Sequence, residues 1–123
     1  MTKTQILLFH FLLVCLSSAF AVDSCDSLSR SWQGEGRYVS PYLAYLFDAQ
    51  ASFTRENGLN SFRFNYTAHG DVENGNTYSY QLECESGFLS INDGPVQGEG
   101  AVTGTRLVLK LFDGTGYTFL RLK

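Results

Sequence analysis

Residues 61–69 read SFRFNYTAH, and every second side chain in this run is apolar. The same alternation occurs in residues 77–85, TYSYQLECE, and in residues 45–53, YLFDAQASF. Successive side chains of a β-strand point to opposite faces, so each run predicts a strand with one buried and one wet face. The pattern along the rest of the chain predicts about eight strands, at residues 32–39, 44–55, 61–69, 77–86, 88–92, 96–103, 105–112 and 116–122.

Asn-Gly and Asp-Gly pairs separate several of these strands, at Asn57-Gly58, Asn74-Gly75, Asp93-Gly94 and Asp113-Gly114. Such dipeptides accept the positive φ angles that tight hairpin turns need. Short turns between successive strands predict an all-β fold, an antiparallel up-and-down meander. Eight strands of this kind can close on themselves and leave no exposed sheet edge. A closed barrel is therefore the predicted architecture, with a β-sandwich as the alternative.

A signal peptide is expected at residues 1–21. Lys3 supplies a positive charge, residues 6–16 are almost wholly apolar, and Ala19-Phe20-Ala21 fits the small-x-small rule of signal peptidase. The alternative is an uncleaved N-terminal anchor. Cleavage leaves residues 22–123 as one exported domain, secreted or periplasmic, with no further membrane association expected.

Cleavage would remove one of the three cysteines and leave Cys25 and Cys84. In an oxidising compartment these two most simply form one disulfide. The loop that it closes is long, and the chain-entropy model gives such a bridge roughly 4 kcal/mol of stabilisation. The alternative is a reactive thiol pair, but the C-x-x-C spacing is lacking.

The catalytic and metal-binding motifs are sparse. A net charge of −3 without a basic run argues against nucleic acid as a partner. His69, Asp71 and Glu73 stand at alternate positions, but they precede a predicted turn, so a solvated hairpin loop is the favoured interpretation. Glu83 and Glu85 continue the polar face of a strand, which favours surface residues over a carboxylate pair. No enzyme activity, metal or cofactor is expected.

The two ends of the chain resemble a known family. Trp32-Gln33-Gly34-Glu35-Gly36 is similar to the glycine-flanked Trp on the first strand of the calycins, the small barrels that include lipocalins, fatty-acid-binding proteins and avidins. Arg121 resembles the last-strand Arg that packs over this Trp and closes the barrel, a cation–π pair. Arg30 stands where these proteins usually have Gly. The resemblance implies a barrel that binds a small apolar ligand, with Trp32, Gly34, Gly36 and Arg121 in structural roles.

The same first strand is especially similar to that of nitrobindin-like haem barrels. For that similarity His69 would be the only axial ligand left in the mature chain. The alternation places His69 on the wet face or in a turn, so haem is not expected.

Aromatic residues are abundant, with ten Phe, seven Tyr and one Trp in the chain. The predicted ligand-binding set faces inward and consists of Tyr45, Phe53, Phe64, Tyr66, Tyr78 and Tyr80. Two interpretations stay open: a barrel filled by side chains, or a pocket beside small inward residues such as Ala49 and Gly98. Asn65-Tyr66-Thr67 is also a glycosylation sequon, relevant in a eukaryotic host.

The favoured functional hypothesis is an exported, non-enzymatic β-barrel that binds a small apolar or aromatic ligand. The alternative is an interaction protein of the same shape, such as an inhibitor of a secreted hydrolase. In that case the loops or the apolar residues 42–47 would contact the partner.

Overall fold

The structure, a computed structural model, describes residues 24–58 and 60–123. The predicted signal peptide at residues 1–21 lies outside the described residues. A 3-10 helix at Asp26–Ser29 is followed by eight strands: β1 (Trp32–Val39), β2 (Ala44–Arg55), β3 (Ser61–His69), β4 (Asn74–Glu85), β5 (Phe88–Asp93), β6 (Val96–Thr103), β7 (Arg106–Phe112) and β8 (Tyr117–Leu122). Within the described ranges, no helix has the length and apolar character needed to cross a bilayer.

The eight strands form a closed antiparallel barrel. Each strand pairs with the next in the chain, and β8 pairs with β1 to complete the ring. Hydrogen bonds between Gln33 and Lys123, in both directions, extend this last seam beyond the end of β8. The closed meander confirms the predicted architecture and shows that the sandwich alternative is wrong.

The alternation of the sequence places the core inside the ring. In β3, for example, Phe62, Phe64, Tyr66 and Ala68 are buried, whereas the residues between them are half-exposed. The side chains of this core fill much of the interior; the aromatic ring of Phe47, for example, occupies the space beside Gly36. Close packing of this kind is the main stabilising feature of a small domain.

One predicted turn is wrong. Asn74-Gly75 does not form the hairpin turn between β3 and β4, because the chain already turns at residues 70–73, where the Gly70 N–H donates to the Glu73 carbonyl at 2.7 Å. Asn74 pairs with His69 inside the sheet, and Gly75 is the extra residue of a β-bulge. Its positive φ of 74° serves the bulge rather than the turn. β4 therefore begins at Asn74 instead of residue 77.

The 3-10 helix closes one end of the barrel. It contacts β2 and β6 on opposite sides of the ring, and Leu28 from the helix is fully buried. The indole N–H of Trp32 donates to the Leu28 carbonyl at 3.3 Å. A disulfide between Cys25 and Cys84 joins the start of the helix to β4. The predicted bridge is thus confirmed, the thiol-pair alternative is wrong, and the bond is compatible with an oxidising compartment.

The residue that packs over Trp32 differs from the one that the resemblance implied. The guanidinium of Arg30 lies 3.8 Å from the centre of the indole. Arg121 is exposed, because its neighbours Leu120 and Leu122 occupy the two inward positions at this end of β8. The prediction that Arg121 packs over Trp32 is therefore wrong. Position 30, where the calycins usually have Gly, is Arg in this chain, and this Arg supplies the cation over Trp32.

We expect Arg30→Ala to lower the free energy of unfolding by about 0.5–1 kcal/mol, the usual size of an exposed cation–π pair. Arg121→Ala is the matched control, because it removes the same charge from the outer surface of β8 and should change stability less. Urea unfolding of both variants measures the difference. A larger loss from Arg121→Ala than from Arg30→Ala would contradict this assignment.

Candidate functional site

The end of the barrel opposite the 3-10 helix is open and holds a cavity of about 300 Å³. The cavity lies among the β1–β2, β3–β4 and β7–β8 connections and is lined mainly by aromatic and aliphatic side chains. The lining residues are Tyr38, Leu43, Tyr45, Phe47, Tyr66, Val72, Glu73, Tyr78, Tyr80, Val96, Leu111, Asp113 and Thr118. We call this cavity the mouth. Its volume lies at the lower end of the range for small-molecule sites.

Four of the six predicted ligand residues line the mouth: Tyr45, Tyr66, Tyr78 and Tyr80. The other two, Phe53 and Phe64, lie deeper, where their rings stack on each other with centroids 4.8 Å apart. Phe64 also stacks on Tyr66 at 5.4 Å, and Tyr66 stacks on Tyr78 at 4.9 Å. One column of rings therefore runs from the packed core to the mouth, and only its outer members reach the cavity.

Glu73 is the only charged side chain that is buried in the described part of the chain, with 7% of its surface exposed. Oε1 accepts hydrogen bonds from the hydroxyls of Tyr45, at 2.7 Å, and Tyr78, at 3.0 Å. Oε2 accepts from the side-chain amide of Asn76. Both carboxylate oxygens are thus held by neutral donors from β2 and β4, in a fixed position at the wall of the mouth.

The surroundings of Glu73 favour its ionised form. Desolvation raises the pKa of this carboxyl, but the hydrogen bonds from Tyr45, Asn76 and Tyr78 together outweigh desolvation and hold the pKa below its usual value. A carboxyl whose pKa is lower in the folded state stabilises the fold above its unfolded value of about 4.5. This contribution is lost as the pH falls through the lowered pKa. At neutral pH the mouth therefore contains a negative charge.

The phenols around Glu73 are neutral. Burial, with the Glu73 hydrogen bond second, raises the pKa of Tyr78 to about 12. The same causes in the same order raise the pKa of Tyr45, and burial is the largest cause of the raised pKa of Tyr66. These hydroxyls stay protonated at any physiological pH. They act as hydrogen-bond donors and as ring faces, not as bases.

A second carboxylate stands at the rim of the mouth. The Tyr38 hydroxyl donates to Oδ2 of Asp113 at 3.4 Å, and backbone N–H groups of Thr115 and Gly116 donate to its Oδ1. Burial, followed by Asp113, raises the pKa of Tyr38. The ring of Tyr38 lies 5.3 Å from that of Tyr45, centroid to centroid.

Sequence reasoning missed Tyr38, Glu73 and Asp113. Tyr38 could have been found, since it continues the inward positions Trp32, Gly34 and Gly36 of β1. The interpretation of Glu73 as part of a solvated loop is wrong: His69 and Asp71 are exposed, but Glu73 turns inward. No local pattern reveals this, because it depends on the bulge at Gly75.

Asn65 of the glycosylation sequon is half-exposed on β3, between inward-facing Phe64 and Tyr66. Within residues 24–58 and 60–123, no group of three His, Cys, Asp or Glu side chains could hold a metal ion. A depression of about 480 Å³ lies on the outer face along β1, β7 and β8, but it is more open to solvent than the mouth. Arg37, Lys110 and Arg121 contribute to its lining.

No protein-family model, no curated protein and no solved structure matches the chain. The fold and the chemistry of the mouth are therefore the basis for a functional assignment. The class that they define is a small, disulfide-bonded, closed eight-stranded antiparallel β-barrel with one open end.

Proposed function

We propose that the protein is an exported carrier that binds a small ligand with an aromatic or apolar body in the mouth of the barrel. The observation that carries this proposal is the cavity of about 300 Å³ at one end of an otherwise filled ring. Apolar lining with a few convergent polar groups is the usual composition of a small-molecule site. The proposed role is binding rather than catalysis, because the tyrosines of the lining act as neutral donors and ring faces.

The asymmetry of the barrel supports this assignment. Leu28, Trp32 and the disulfide close one end, whereas five tyrosines surround the other. Tyrosine offers a large rigid face at a low cost in side-chain entropy and a hydroxyl for orientation. Half-buried phenols around an open cavity add little to core packing, so their presence at this end favours a binding role.

Native mass spectrometry tests the proposal on protein expressed with its leader in an exporting host and purified without detergent. We expect a discrete added mass that disappears on denaturation. Thr118→Phe should abolish this mass, because position 118 lines the mouth and a phenyl group would fill part of the cavity. Thr54→Phe is the matched control, since Thr54 is exposed on the outer face of β2.

Retention of the mass by Thr118→Phe would place the ligand elsewhere and contradict the proposal. A clean apo mass together with no binding of indole, measured by calorimetry at millimolar concentration, would also contradict it.

One observation favours a second candidate, an interaction protein. Tyr42 and Leu46 are 87% and 71% exposed, and both belong to the β1–β2 hairpin. Exposed apolar side chains that cluster are typical of protein contact surfaces. If a protein partner binds the Thr118→Phe variant but not the Leu46→Ser variant, this candidate is favoured. One such role is inhibition of a secreted hydrolase.

We propose further that the barrel is calycin-like and that its leader directs it to the secretory route or the periplasm. The support is the buried Trp32 on β1 and the seam between β1 and β8 that follows the glycines at positions 34 and 36. The disulfide supports an oxidising destination.

A further inference from the structure

Glu73 has no cationic partner among the described residues. The two ion pairs in residues 24–58 and 60–123 join Arg55 to Asp26 and Arg63 to Glu56. Asp26 and Glu56 belong to the helix and to the β2–β3 connection, which lie at the closed end of the barrel. Among the described residues that line the mouth, none is Lys, Arg or His. A buried carboxylate without a counter-ion is unfavourable, and hydrogen bonds from neutral donors offset this cost only in part.

Four hydrogen-bond donors at the mouth are engaged by its two carboxylates. The hydroxyls of Tyr45 and Tyr78 and the amide of Asn76 all point at Glu73, and the hydroxyl of Tyr38 points at Asp113. An anionic ligand would be left mainly with the hydroxyls of Tyr66, Tyr80 and Thr118 as donors, and it would meet two carboxylates. A carboxylate has about four lone-pair sites, and Glu73 already has four hydrogen-bond contacts, because the Tyr78 hydroxyl reaches both of its oxygens. Glu73 therefore offers a ligand its negative charge rather than a free lone pair.

Much of the remaining wall is aromatic. Tyr38, Tyr45, Tyr66, Tyr78 and Tyr80 line one cavity of about 300 Å³. The face of an aromatic ring carries negative electrostatic potential and attracts a cation, more strongly where water is excluded. Asp113 at the rim adds a second negative charge, which attracts a cation toward the opening. Ring faces around a carboxylate suit a charge that is spread over an organic group, whereas a metal ion prefers several oxygen ligands.

We propose that the mouth binds a small organic cation, a quaternary or substituted ammonium with an apolar body, whose charge lies against Glu73 and the tyrosine faces. This inference rests on the proposed carrier function and specifies its ligand class. Glu73 supplies the counter-charge, the tyrosines enclose the ammonium, and Leu43 and Val72 contact the apolar body near the rim.

Calorimetric titration at pH 7 with choline and with benzyltrimethylammonium tests the inference. Each cation is compared with its neutral isostere, in which carbon replaces nitrogen; for choline this is 3,3-dimethylbutan-1-ol. We expect the cations to bind at least tenfold more tightly than the isosteres, because only the cations interact with the charge of Glu73.

Glu73→Gln should weaken cation binding at least tenfold and leave the affinity of the neutral isosteres unchanged. The unchanged isosteres also show that the mouth of the variant is intact. Asp71→Asn is the matched control, because it removes an equal charge from an exposed position in the same loop. It should alter cation binding by less than twofold.

Equal binding of cations and isosteres, or cation binding that survives Glu73→Gln, would overturn the inference and leave the carrier function standing. If neither cations nor isosteres bind and the purified protein also carries no added mass, the carrier function fails together with the inference.

Discussion

Gly34→Ala is expected to destabilise the barrel by more than about 3 kcal/mol, the upper end of the usual range for overpacked cores. A Cβ atom at position 34 would lie 2.1 Å from the carbonyl oxygen of Arg121 and 3.0 Å from the Cα of Leu122. Both atoms belong to the backbone of β8, which the pairing with β1 holds in place. A side chain could rotate away from the new methyl group, but a paired strand cannot. The seam that closes the barrel would have to open instead.

Urea unfolding measures this effect, and Gly94→Ala is its control. Gly94 has a φ of 61° and open space around its Cα, so alanine there meets only backbone strain, about 1–2 kcal/mol. Near-equal losses for Gly34→Ala and Gly94→Ala would show that the close approach of β1 and β8 has no special cost.

Removal of the disulfide, as the double variant Cys25→Ala, Cys84→Ala, should cost about 4 kcal/mol of stability. The two cysteines are 59 residues apart in sequence, so the bridge restricts a large part of the unfolded chain. Small domains have a total stability of about 5–15 kcal/mol, so this loss is a large fraction of the total. The bond also holds the 3-10 helix, with Leu28, against the closed end.

Two readouts follow the loss of the disulfide. Thermal unfolding gives the change in stability, and the emission of Trp32 should shift to longer wavelength if the helix leaves the barrel end and water reaches the indole. Reduction of the wild-type protein should reproduce both changes, since it breaks the same bond without altering the sequence. A loss below about 1 kcal/mol would contradict the chain-entropy argument for this bridge.

Side-chain alternation, together with the turn signals between strands, predicted the eight strands and favoured the closed ring over a sandwich. β1, β2, β3 and β6 have the predicted bounds, because each strand has one continuous inward face. The inward orientation of Tyr45, Tyr66, Tyr78 and Tyr80 follows from the same alternation. What alternation cannot give is depth along the barrel axis, which depends on the register between strands. For that reason Phe53 and Phe64 could not be separated from the residues that line the mouth.

The position of Glu73 was beyond local reasoning for a different reason. One extra residue at Gly75 shifts the register between β3 and β4. An Asn-Gly pair normally predicts a hairpin turn, because Gly accepts a positive φ. Here the positive φ of Gly75 forms a β-bulge within the sheet instead. The packing of Arg30, rather than Arg121, over Trp32 could not be predicted locally either, because it depends on the path of the chain before β1.

The closed end has a kinetic consequence for any molecule that occupies the mouth. With the helix, Leu28 and Trp32 across the far end and packed side chains between, the mouth is a blind cavity with one opening in the part of the chain that the structure describes. Arrival and departure share that opening, so a change at a rim residue outside the lining, such as the exposed Tyr42, should alter both rates together and leave the equilibrium constant nearly unchanged. Changes deep in the wall, at Glu73 or Tyr66, should alter mainly the residence time. Measured association and dissociation rates can thus distinguish residues that control access to the mouth from residues that hold the ligand.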